Sequence, residues 1–160
     1  MNVGLDQYLY AKRYYSDYEH SDPKEREAFA RLLEVWGQSV PRGAYGAAGK
    51  GFHLTHTIGY WRKANHIHGW FVKNVQNGVD DCGEYYVPRG LLVELIGVCT
   101  LLLSSKDEKI AEKLLPPVQG FFFGTYEYDE WYWSGVSETV SMLNAALQCE
   151  DADFYYSSSW

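Results

Sequence analysis

Apolar spacing changes several times along this chain, and each change marks an expected element. Residues Val3–Tyr14 nearly alternate, with Leu5, Gln7 and Leu9 in step, which predicts a strand. In SDPKEREAFARLLEVWG, Asp22 can cap and Pro23 takes the first helical position. Phe29, Leu32, Leu33 and Trp36 then fall at i, i+3, i+4 and i+7, and Gly37 ends the helix. A glycine- and alanine-rich loop follows, and a long helix is expected over Thr57–Gln76. Asn77-Gly78 predicts a turn leading into a short strand at Tyr85-Tyr86. Pro88 opens a helix carrying Leu91, Leu92, Leu95, Ile96, Cys99 and Leu102, and a short helical segment ends at Pro116-Pro117. GFFFG (Gly120–Gly124) reads as a buried strand with Phe122 in the core. Asp129 or a neighbour starts a last helix with Tyr132, Val136, Val140, Leu143 and Leu147 on one stripe. The terminal DFYYSSSW is expected as an edge strand, beside the first one. The reading is α+β: one compact domain over residues 1–160, with a small antiparallel sheet, its N- and C-terminal strands included, packed by about four helices.

Composition narrows the function. Aromatics make up 17% of the 160 residues, with 14 Tyr and 6 Trp, which suits either an aromatic core or a binding surface. A net charge of −7 argues against a groove for duplex nucleic acid, which needs clustered Lys and Arg, but leaves room for a local basic pocket. Cys82, Cys99 and Cys149 form no CxxC pair, which fits a reducing compartment. The start of the chain has no leader pattern, and the apolar run Leu91–Leu103 is too short to span a bilayer, so a soluble intracellular protein without a membrane partner is expected.

The tract GYWRKANHIHGWF (Gly59–Phe71) is the most informative. On a helical wheel, Ile58, Trp61, Asn65, His68, Val72 and Val75 form one stripe, and Arg62, His66, Gly69 and Lys73 the next. That places two polar groups on an apolar face beside a basic edge, the chemistry of a pocket wall. Asn65 and His68 equally suit bonds to backbone or to Asp80, Asp81 or Glu84. Arg and Trp together suit a phosphate and a nucleobase.

Other constellations are weaker. GAAGKG lacks the first Gly and the hydroxyl of a P-loop, and so reads as a loop over 43–51 of undefined role, a lid being one. His53, His56, His66 and His68 cluster in sequence, but His66 and His68 diverge by about 200° on a helix, and no HExxH occurs; no metal or other cofactor is assigned. His53-Leu54-Thr55 lacks the second copy that two-histidine phosphoesterases need. Asp80, Asp81 and Glu84 could hold magnesium or only cap a turn and pair with Arg62 and Lys63. Tyr126, Tyr128, Trp131 and Trp133 cannot all point inward from one turn, and a homo-oligomer interface explains exposed aromatics as well as a ligand does.

The blocks GLDQYLY, GYWRKANHIHGWFVKNVQNGVDDCGEYYV, LLP followed by GFFFG, EYDEWYW and the terminal SSW resemble a widespread family of small proteins from tailed phages and prophages. The resemblance covers more than a third of the chain. It implies a protein made in the host cytoplasm during infection or from a prophage, and so a host-takeover or anti-defence role; it implies no mechanism. The leading expectation is a binding protein that captures a small anionic, nucleotide-like ligand, such as a cyclic-nucleotide immune signal. Tyr60, Trp61, Arg62, Asn65 and His68 would form one wall, and Trp131, Tyr132, Tyr85 and Tyr86 the other. Trp61→Ala or Arg62→Ala should then abolish capture without unfolding the chain. One alternative is an acidic inhibitor of a host defence or regulatory protein. Another is a phosphoesterase-like enzyme built on His68 with Asp80 or Asp81, which lacks a complete catalytic signature.

Overall fold

The computed structural model describes residues 4–16, 20–36, 51–120 and 122–160. Its elements run β1 (Asp6–Ser16), α1 (Pro23–Trp36), β2 (Gly51–Arg62), α2 (Asn65–Asn74), β3 (Glu84–Val87), α3 (Arg89–Ser105), α4 (Glu108–Leu114), α5 (Glu130–Ala146) and β4 (Asp153–Ser159). The strands form one four-stranded antiparallel sheet in the order β2-β1-β4-β3, so the fold is α+β, with five helices among the described residues. Most of the glycine-rich tract 43–51 lies outside the described residues.

The chain divides into two compact units, Met1–Ala11 with His56–Trp160, and Lys12–Thr55. In the smaller unit, α1 begins where the sequence predicts: Asp22 Oδ1 accepts from the Lys24 N–H at 2.7 Å, and Pro23 needs no partner for a missing N–H. Phe29 is buried, its ring 5.2 Å from that of Phe52, and Ser16 N–H and Oγ bond the Glu25 carboxylate.

In the larger unit, α3 packs along α5. Leu92, Leu95, Cys99 and Leu102 of α3 are fully buried, as the i, i+3, i+7, i+10 stripe predicts. On α5 the buried stripe is Tyr132, Val136, Thr139, Leu143 and Ala146, turned slightly from the expected one, with Val140 and Leu147 only half-buried. Asp129 caps this helix, accepting from the Tyr132 N–H at 3.0 Å.

Three expectations are corrected. The long helix over Thr57–Gln76 is instead a strand, a sharp turn and a shorter helix. Gly59 and Trp61 face the core while Tyr60 and Arg62 alternate outward, a period of two. Lys63 then takes a left-handed φ of 58°, its N–H bonding Leu5 O at 2.8 Å, and α2 starts only at Asn65. Positions 58 and 61 matched a helical stripe by coincidence of spacing. The described residues of GFFFG, Gly120 and Phe122–Gly124, form no strand: Phe122 has φ 59° and is 53% exposed, whereas Phe123 is buried. Finally, β4 lies between β1 and β3 and is no edge. Its Phe154, Tyr156 and Ser158 are buried, and it pairs Tyr155 with Tyr86 and Phe154 with Val87.

Candidate functional site

One groove of the larger unit has a volume of about 630 Å³. One wall is the end of β2 and the turn after it, from Tyr60 to Lys63. Its floor is the start of α2, from Ala64 to His66. The far wall is the loop at Gly124, Thr125 and Glu127, with Trp131, Tyr132, Ser134, Gly135 and Glu138 of α5. The groove therefore joins Tyr60, Trp61, Arg62, Asn65, Trp131 and Tyr132 of the expected set. His68, Tyr85 and Tyr86 do not line it.

These six side chains are not equivalent. Trp61 is only 3% exposed, and its indole N–H donates to Thr139 Oγ1 at 2.9 Å; Thr139 in turn donates to Gly135 O at 2.6 Å. This pair of bonds ties β2 to α5. Trp61 is therefore a core residue: truncation to Ala would cost about 3–5 kcal/mol, so loss of capture without unfolding is no longer expected of it. Tyr132 is likewise buried, and its hydroxyl donates to Leu115 O at 2.9 Å; burial pushes that hydroxyl's pKa upward.

Trp131, by contrast, is 72% exposed on the first turn of α5. Tyr60 is half-exposed, its ring 5.4 Å from that of Tyr8, and its hydroxyl donates to the buried Asp6 carboxylate, which raises the Tyr60 pKa. Arg62 and Lys63 are exposed and make no ion pair among the described residues. Glu127 and Glu138 line the groove as well, so cations and carboxylates are balanced there. The first turn of α2 has no side-chain cap, and an uncapped helix start favours an anion.

Asn65 spends its side chain on the loop opposite. Its amide donates to Thr125 O at 2.7 Å and Phe123 O at 3.2 Å, and its Oδ1 accepts from Val118 N–H at 3.1 Å. It shapes the wall and has little left to offer a ligand. Gly124, with φ 101°, lets that loop approach: a Cβ there would lie 3.0 Å from Lys63 O.

His66 was expected only on the basic edge. It is 5% exposed, packed against Tyr132 with ring centroids 4.3 Å apart, and its Nε2 has no hydrogen-bond partner among the described residues. Burial holds its pKa down at about 3, against a smaller opposing pull from Asp129, so the imidazole is neutral.

His68 sits in a closed network. Gln7 Nε2 donates to Ala64 O at 3.1 Å, which orients the amide so that Oε1 accepts from the Tyr156 hydroxyl at 3.0 Å. Tyr156 Oη must then accept from His68 Nδ1–H at 2.8 Å, and Nε2 lies 3.0 Å from the Asp80 carboxylate. Trp160 donates to the other Asp80 oxygen at 3.1 Å. Both nitrogens of His68 are thus engaged, and neither faces an open position as a general base requires. Asp81 accepts from Gly83 N–H and the Tyr85 hydroxyl, at 2.9 and 3.0 Å, holding the turn before β3. Tyr86 is exposed and meets Tyr155 edge-on at 5.7 Å. Among the described residues no three His, Cys, Asp or Glu side chains gather as a metal site would require.

The chain matches no protein-family model, no curated protein and no solved structure. Sequence reasoning missed His66, Lys63, Thr125, Gly135 and Glu138. One signal was available: Trp131, Gly135 and Glu138 fall at i, i+4 and i+7, a second stripe on α5 beside its core stripe.

Proposed function

We propose that the protein binds a small nucleotide-like ligand in the groove between the end of β2 and α5. The observation that carries this is one groove holding an exposed Trp131, two unpaired cations and a buried polar nitrogen without a partner. An aromatic face on Trp131 suits a base by stacking, worth about 1–3 kcal/mol. Arg62, Lys63 and the uncapped start of α2 suit a phosphate. Glu127 and Glu138 suit ribose hydroxyls, which a carboxylate accepts from.

The resemblance to a tailed-phage family supports a role in the host cytoplasm, sequestering a nucleotide immune signal. The test is to follow the melting temperature of the purified protein against a panel of cyclic and linear nucleotides, then release bound material by heat and identify it by mass. A shift with intact ligand released, lost in Arg62→Ala and Trp131→Ala, supports sequestration. A chemically altered ligand identifies an enzyme instead.

A second reading has its own observation. Tyr60 and Tyr86 are exposed, and Phe122, Tyr126 and Trp160 add further exposed aromatics on a chain of net charge −7. If no nucleotide shifts the melting curve, salt-sensitive binding to a host defence protein becomes the better account.

A further inference from the structure

His66 and Gly135 deepen the reading above and rest on it. A buried nitrogen without a hydrogen bond is costly, about 1–3 kcal/mol, and a helix position packed against Tyr132 would accept an apolar ring without that cost. Such a group calls for a partner that arrives from outside. On the α5 side only a glycine stands beside that nitrogen: an added Cβ at Gly135 would lie 3.2 Å from both Nε2 and Cε1 of His66, closer than most side-chain neighbours stand. Glycine inside a helix costs about 1 kcal/mol relative to alanine, so two unfavourable choices meet at one point of the groove. Both residues line it.

We infer that His66 is the specificity-determining residue of the groove. Its Nε2 makes the hydrogen bond that reads an uncharged polar edge of the ligand, and Gly135 is glycine so that this edge can reach it. Being neutral, His66 adds no charge to hold a phosphate, which falls to Arg62 and Lys63 on the β2 side. A nucleobase alternates donors and acceptors along its edge, so either imidazole tautomer finds a complement. The ligand class is therefore a nucleotide held with its base towards α5 and its phosphate towards β2.

The test compares wild type, His66→Phe and Gly135→Ala by calorimetry with the 5′-monophosphates of adenosine, guanosine, cytidine and uridine. Wild type is expected to rank the four bases. His66→Phe should lose tenfold or more in affinity for the preferred base, flatten the ranking, and melt at an equal or higher temperature. Gly135→Ala should reproduce the loss with His66 present. In 15N-labelled wild type the His66 Nε2 resonance should move on saturation with the preferred nucleotide.

If Arg62→Ala abolishes binding while His66→Phe keeps the wild-type affinity and ranking, the inference falls and the groove reading stands. A Nε2 resonance unmoved at saturation overturns it equally, whether or not the variants fold. If wild type binds none of the four, and none of the cyclic nucleotides, both fall together.

Discussion

His66 and His68 are two residues apart on one helix, both buried, and they face opposite chemistry. On one flank of α2, His68 is bonded at both nitrogens, to Tyr156 and to Asp80, in a network running from Ala64 O through Gln7 to Trp160. On the other, His66 meets an aromatic ring and a glycine, and its Nε2 bonds nothing. The contrast separates two uses of a buried polar group. A saturated network joins β1, α2, β4 and the turn before β3 into one arrangement and engages both nitrogens of His68. An orphaned nitrogen weakens the fold, so what retains it must lie outside the fold's own stability.

The contrast has a sign in acid. Folded, His66 accepts a proton only near pH 3, whereas an unperturbed histidine does so at 6.5. Between those values the unfolded chain binds the extra proton, so stability from this group is full above about pH 6.5 and falls as the pH drops. The slope is about 1.4 kcal/mol per unit, so roughly 3 kcal/mol is lost by pH 4. Urea titrations of wild type and His66→Phe at pH 7 and pH 4 should therefore diverge by that order, with the variant the less acid-sensitive. Parallel pH profiles would mean that His66 is hydrated after all, and would erase the comparison.

Asn65, the first residue of the same helix, should matter next most. Asn65→Ala leaves Val118 N–H and the Phe123 and Thr125 carbonyls without their partner, at about 3 kcal/mol in urea unfolding. The loop wall should loosen too, weakening ligand capture. His68→Phe is expected to cost about 2 kcal/mol by stranding the Asp80 carboxylate and one bond of Tyr156, where His66→Phe at pH 7 costs nothing. Equal losses in the two variants would break the distinction. Smallest in stability is Trp131→Ala, under about 0.5 kcal/mol because the ring is mostly exposed. Its effect should appear instead as lost nucleotide binding.

Much of the fold was legible in the sequence. The amphipathic stripes of α1, α3 and α5, Asp22 and Asp129 as caps, the Asn77-Gly78 turn and the α+β class follow from periodicity and local hydrogen bonding. Local chemistry fails where two readings share a spacing. Ile58 and Trp61 sit at i and i+3 of a helix pattern, yet they belong to a strand whose fate depends on pairing with β1, a partner some fifty residues away. Phe122 and Phe123 are the same residue type, and only their tertiary setting, in which Asn65 donates to the Phe123 carbonyl and His68 packs on the Phe123 ring, separates the exposed one from the buried one.

The candidate site divides the same way. Composition and residue types alone determined that a Trp, an Arg and a polar group would meet near residues 60–65, and that α5 would supply an aromatic from EYDEWYW. Which tryptophan is free to stack was decided by packing. Trp61 points into the core because strand alternation turns it inward, and Trp131 is exposed because the first turn of α5 presents it outward. Tertiary structure alone decided that His68 is spent and His66 is not. The bond to Asp80, twelve residues on, was among the expected ones, but partners 88 and 149 residues apart carry no local signal, and the setting of His66 Nε2 beside Gly135 exists only once α2 and α5 have packed.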